Sequence, residues 1–292
     1  MGEKDITEKI LEDYNDVFAD IVNVLLFNGK KVVNEDSLEN SGVHSGYKAD
    51  DSKVHEQERD IAKFWREGNV RIALYGIENQ TTVDKLMPFR IISYDGSSYK
   101  SQMALDEENM LPVITIVLYF GKTRWNSPKR LKESLSIPRE LNKYVNDYKI
   151  HVFEIAWLSE KQVNMFKSDF KLVADFFVKS RINPNYMPTD KTEIKHIEEV
   201  LKLLSVVTGD KRYEDVIISS KVKEVHNMCE VADRLWNGGK AEGVIEGKAE
   251  AYYSLVQDGD ISVEKAAEKL EISVEEFEKR MENAGYKIPE MV

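Results

Sequence analysis

The residues with the most chemical promise are Glu78 and Gln80, at the end of VRIALYGIENQ (70–80). That segment is β-rich, apolar through its middle, and polar only in its last residues, so it reads as a strand with a functional tip. Two positions apart on a strand, the side chains of Glu78 and Gln80 project to one face of the sheet. A carboxylate buried there costs free energy unless something compensates it. A divalent cation would do so, and carboxylate and carbonyl oxygens suit Mg²⁺ or Mn²⁺. Asp60 stands 18 residues upstream, in a segment that could be the hairpin partner of 70–80. In that arrangement Asp60 and Glu78 converge on one ion, the backbone carbonyl of Asn79 is a third ligand, and Gln80 points at the water the ion activates. The same residues also suit a surface strand end with ordinary hydrogen-bonded polar groups, because Glu-x-Gln alone is a weak pattern.

Positioning such a site requires a sheet and something to hold its edge. LPVITIVLYFG (111–121) is the strongest strand signal in the chain, apolar on both faces as a central strand would be. HVFEIAWL (151–158) is another strand, and RDIAKFWR (59–66) has a periodicity that fits strand or helix. A helix is expected from Met87-Pro88 through about Gln102, and another over 6–27 with apolar residues at helical spacing, ending near Asn28-Gly29. Residues 34–58 are polar and aperiodic and read as a loop. From Ser159 onward the pattern turns helical: Ser159 caps a helix over 159–180, 192–209 closes on Gly209, and 213–236 continues. Strands up to 158 and helices afterwards indicate an α/β chain with an all-helical C-terminal region. The expected divisions are a core over 1–158, a helical extension over 159–238, and a helical arm with a small tail over 239–292.

Composition narrows the function classes. The 292 residues are 42% hydrophobic and 32% charged, which is ordinary globular usage. No apolar run approaches the roughly 18 residues needed to cross a bilayer, and MGEKDITEKI lacks the apolar region of a signal peptide. The single cysteine, Cys229, excludes an internal disulfide and a cysteine-rich zinc site, which fits a cytoplasmic location without a membrane partner. A net charge of −11 argues against a protein that coats nucleic acid by electrostatics alone. The charge is polarised, however. Residues 122–149 hold eight basic residues against three acidic ones, a balance of +5, whereas 240–292 hold 13 acidic and seven basic, a balance of −6. The positive stretch fits a solvated face or a phosphate track.

Several stretches taken in order, DYNDVFADIVN (13–23), ERDIAKFW (58–65), IENQTTVDKLMPFRIISYD (77–95), LPVITIVLYFG (111–121) and VHNMCEVADRLWNGGKAEG (225–243), resemble the recombination-promoting nuclease (Rpn) and transposase family within the PD-(D/E)XK nuclease superfamily. The resemblance covers most of the chain. It implies a restriction-endonuclease-like core of α-β-β-β-α-β order and Mg²⁺-dependent cleavage of DNA phosphodiesters, with Mn²⁺ able to substitute, in the service of recombination or a mobile element. On it, Asp60 takes the place of the motif's aspartate, Glu78 the second carboxylate, and Gln80 the usual lysine. Glutamine can orient a water but cannot offer the transition state a positive charge. Arg90 is the candidate for that missing charge. Nuclease cores of this kind often add an acidic residue from the first helix to the metal site. Asp16 and Asp20 share a helical face, and Asp20, set between Ala19 and Ile21, is the better candidate, though it also suits a solvated position. Cutting both strands would take a homodimer or two successive nicks. The alternative is a catalytically inactive nuclease-fold scaffold that binds DNA or protein partners, for which Gln80 and the acidic net charge are the motive.

Other features carry less. Tyr94, Tyr99, Trp65 and Trp125 could stack on bases but suit packing as well. The five histidines show no metal-ligand spacing. ISVEKAAEKLEISVEEFEKRM (261–281) resembles a helix-turn-helix, but its second helix is so acidic that it would repel phosphates, which favours a packing or oligomerisation module.

Overall fold

A computed structural model describes residues 10–41, 44–48, 54–58, 60–68, 70–104, 110–218 and 225–288. The expected helix positions 6–9 and part of the 213–236 helix fall outside these residues. The first long helix, α1 (Asn15–Phe27), stops where Asn28 (φ 52°) and Gly29 (φ 79°) turn left-handed. Among the described residues seven strands follow in order, β1 (Leu38–Asn40), β2 (His44–Lys48), β3 (Val54–Glu58), β4 (Ile61–Glu67), β5 (Val70–Gln80), β6 (Val113–Tyr119) and β7 (His151–Glu154), with α2 (Met87–Ala104) between β5 and β6.

Five of the strands form one mixed sheet in the order β1-β4-β5-β6-β7. β4 lies antiparallel to both β1 and β5, whereas β5, β6 and β7 run parallel. α1, β1, β4, β5, α2 and β6 reproduce the α-β-β-β-α-β order, with β7 added at one edge and the β2–β3 hairpin inserted between β1 and β4. β5 and β6 are central. Residues 73–79 and 115–119 are buried without alternation, because both faces of the sheet are covered.

Two expectations are corrected. Residues 34–58 hold three strands rather than a loop. Little in their polar sequence encodes this. β1 exists by pairing with β4, Leu38 opposite Trp65, and β2 and β3 by pairing with each other. The helix expected over 159–180 is broken. Ser159 caps only a short α3 (Glu160–Val163), and the chain turns before α4 (Phe170–Ile182). The cause is tertiary. Asp20 of α1 accepts the backbone N–H groups of Lys167 (2.6 Å) and Ser168 (2.7 Å) and the Ser168 hydroxyl (2.8 Å), drawing those donors away from helical partners.

α2 is held at both ends. Met87, Ile91 and Tyr94 pack with Val117, Tyr119, Trp125 and Ile150 in one cluster. At the far end the Gln102 amide exchanges hydrogen bonds with the backbone of Leu111 just before β6. The later described elements are the helices α5 (Ile197–Thr208), α6 (Arg212–Ile218), α7 (Met228–Gln257), α8 (Val263–Lys269) and α9 (Val274–Asn283). The chain divides into two compact units, Met1–Cys229 and Glu230–Val292. Within the second, Tyr253 and Val256 of α7 close a small core with Ala266, Ala267, Phe277 and Met281 of α8 and α9. Ser262 and Ser273 cap those two short helices.

Candidate functional site

The β4–β5 hairpin brings the two carboxylates together. Ile61 lies opposite Ile77, so continuing the antiparallel register by one residue sets Asp60 beside Glu78, where facing side chains share a face of the sheet. The Asn79 N–H donates to the Asp60 carboxylate at 2.6 Å. Successive peptide groups of a strand point to opposite edges, and the Gln80 carbonyl accepts from Phe120 on the β6 side. The Asn79 carbonyl therefore faces the same edge as its N–H, the edge on which Asp60 stands.

Glu78 is 1% exposed. Its Oε1 accepts hydrogen bonds from the Arg90 guanidinium and from Gln80 Nε2 at 3.3 Å, so Gln80 shares its face and reaches it directly. Arg90, in the first turn of α2, also donates to Asp84 at 3.1 Å and to the Tyr94 hydroxyl at 3.2 Å. Tyr94 lies one turn further along α2 and is fixed by the apolar cluster described above. Burial works against the Arg90 charge, but Glu78, Tyr94 and Asp84 outweigh it and hold the guanidinium above its ordinary range. Burial, with Glu78 and Asp60 nearby, pushes the Tyr94 phenol up against the opposing influence of Arg90, so it stays neutral.

Asp60, Glu78, Asn79, Gln80 and Arg90 thus meet at one strand end, and Asp20 does not join them. Its carboxylate serves the 167–168 turn and lines a separate cavity of about 520 Å³ with Asp16, Asn23, Lys31 and Lys195. The N-terminal acid that does reach the site is Glu12, 1% exposed, which accepts the Asn79 side-chain N–H at 2.7 Å. Asn79 is therefore a hub, its backbone tied to Asp60 and its amide to Glu12. The Asn79 Oδ1 atom is buried and has no hydrogen-bond partner among the described residues. Glu12 carries no distinguishing signal in sequence. It sits in a run of charged residues that looks solvated, and only the packing of the N-terminal turn buries it.

Two adjoining carboxylates and a backbone carbonyl are hard oxygen donors, and they fit an ion that takes one or two carboxylates and keeps much of its water, as Mg²⁺ does. Among the described residues no group of three or more His, Cys, Asp and Glu gathers as a metal site. The aromatics weighed for stacking are mostly structural. Tyr94 and Trp125 are buried, and the Tyr99 hydroxyl accepts the Val113 N–H at 3.1 Å.

Fold and site together define an α/β chain with a restriction-endonuclease-like mixed sheet and a polar, carboxylate-bearing strand end. Residues 66–202 match the family described as "Putative transposase, YhgA-like". No curated protein and no solved structure matches the chain. No helix of the described residues is long and apolar enough to cross a membrane.

Proposed function

We propose that the chain is a divalent-metal-dependent DNA endonuclease that hydrolyses phosphodiester bonds in recombination or on behalf of a mobile element. The observation that carries this reading is the pairing of Asp60 with Glu78 at the polar end of β5, with Gln80 and Arg90 both on the Glu78 carboxylate. The family's description supports DNA as the partner. Asp60 and Glu78, with the Asn79 carbonyl, would hold Mg²⁺ or Mn²⁺, which when bound supplies an activated water and relieves charge on the phosphate. Asn79 keeps Asp60 in place through its N–H. Gln80 can orient a water but adds no charge. Arg90, part exposed and held in its charged form, provides the fixed positive charge that glutamine cannot.

Purified protein is expected to nick or linearise plasmid DNA with Mg²⁺ or Mn²⁺. Asp60→Asn and Glu78→Gln, which keep shape but remove charge, should lower the rate by about a hundredfold or more with little change in melting temperature. Equal cutting by both variants would sink the assignment.

A second reading is favoured by one observation. Glu78 is already neutralised by Arg90, so the strand end is also a self-contained ion-pair network of the kind an inactive scaffold would keep. Calorimetry with Mn²⁺ separates the two. The enzyme should give binding heat that disappears in Glu78→Gln, and a scaffold should give none.

A further inference from the structure

The sequence's most basic stretch forms one fixed lobe beside the candidate site. The chain from 121 to 150 leaves β6 immediately after Tyr119, the register partner of Gln80. It folds back on itself by antiparallel pairing, with Arg130 opposite Lys149, Leu131 N–H to Tyr148 O (2.9 Å) and Ile150 N–H to Lys129 O (3.0 Å). The lobe is clamped to the site's supports at both ends. Near its start, Trp125 is buried with Met87, Ile91 and Tyr94 of α2, and the Ser127 hydroxyl donates to the Asp84 carbonyl at 3.3 Å. The same Asp84 holds Arg90. Near its end, the Tyr148 hydroxyl donates to the buried Asp95 carboxylate of α2. The lobe is therefore anchored to the helix that presents Arg90.

Little of its positive charge is spent internally. Arg130 pairs with Asp147 (2.6 Å) and Arg124 with Glu154 (3.3 Å). Lys122, Lys129, Arg139, Lys143 and Lys149 have no acidic group within ion-pair distance among the described residues, and all but Lys129 are exposed. Tyr144, 71% exposed, lies 4.8 Å under the Lys143 ammonium. In a chain of net charge −11, a lobe of unneutralised cations attached to the site is a local attractor for a polyanion.

We propose that this lobe is the phosphate-backbone contact for duplex DNA, holding it against the strand end that carries Asp60 and Glu78. The choice of DNA rests on the nuclease reading above. The contact is sequence-independent, made by lysine and arginine to phosphates.

The test is fluorescence anisotropy of a labelled duplex with the full chain in EDTA, so that binding is read without cleavage. The quadruple variant Lys129→Gln/Arg139→Gln/Lys143→Gln/Lys149→Gln is compared with the unchanged protein between about 50 and about 200 mM salt. Each phosphate that the protein no longer neutralises takes about 0.9 from the slope of log affinity against log salt, so the variant's slope should be shallower by about 3.6 and its affinity at least about tenfold lower. Should four changes lower the melting temperature, Lys143→Glu with Lys149→Glu, at two exposed positions, tests the same surface. Unchanged binding by these variants overturns the proposal. So does a lobe that binds vesicles of anionic phospholipid but not the duplex. Failure of the catalytic reading looks different. Binding through the lobe without any cleavage retires the nuclease and leaves the lobe, whereas cleavage lost in Glu78→Gln with normal binding by the lobe variants does the reverse.

Discussion

Glu78 is a carboxylate with almost no contact with water, and its state decides what the strand end can do. Arg90 and Gln80 both donate to it, and a buried charge deprived of its counter-charge is expensive. Arg90→Ala should therefore destabilise the fold by about 2 kcal/mol, less than for a fully buried pair because the guanidinium reaches solvent. Adding Glu78→Gln should recover most of that loss. Urea denaturation of the two single variants and the double variant measures the coupling, and simple additivity would show that the pair is not what stabilises this end. If the site holds a divalent ion, Mn²⁺ should raise the melting temperature of Arg90→Ala more than that of the unchanged protein, because the ion takes the place of the lost guanidinium.

Among the elements, α1 is secured to the helical half through charge. Asp16, in its first turn, accepts from Lys195 Nζ at 2.8 Å and lies 3.0 Å from His196 Nε2, whose ring stacks on Tyr14 at 3.8 Å. Burial pushes the Asp16 carboxyl up, but Lys195 and His196 outweigh it and leave the value below the ordinary 3.8. Because the folded-state value is the lower one, the ionised carboxylate stabilises the fold above the ordinary value. That contribution is lost as pH falls through the folded value. Thermal melts from neutral pH downward should show the unchanged protein more stable than Asp16→Asn at pH about 6, with the gap closing below about pH 4. A gap that persists undiminished in acid would mean that Asp16 acts by shape rather than charge. Element identity was legible wherever the apolar pattern was strong. VRIALYGIENQ, LPVITIVLYFG and the α2 segment fall where periodicity puts them. It failed for β1, β2 and β3, whose strand state comes from a partner's backbone, and for the break before α4, which Asp20 imposes from 148 residues away.

At the scale of the molecule, the strongest positive and negative charge fall in different units. The helical unit Glu230–Val292 is acidic, and α9 carries only Lys279 and Arg280 as bases, the latter tied to Glu276 at 2.8 Å. Phe277 and Met281 turn into a core with Tyr253, and the acidic remainder of the helix is electrostatically unsuited to phosphates. Lys279→Ala with Arg280→Ala should change duplex affinity by less than about twofold in the same anisotropy assay, because neither residue meets phosphate. A drop of about tenfold would restore the recognition-helix reading.

The α/β class, the central strands, the helical C-terminal half and the pair of acids were legible from residue order, because apolar periodicity and a polar tip on a greasy strand are local facts. The sequence also carried the resemblance to the family that residues 66–202 match. Which acids keep company depends on the folded chain. Asp60 reaches Glu78 through hairpin register, Glu12 rather than Asp20 arrives through the packing of the N-terminal turn, and Arg90 closes on Glu78 because an apolar cluster seats α2 beside β6. Those contacts span up to 67 residues, and no pattern confined to neighbouring residues encodes a distance across the fold.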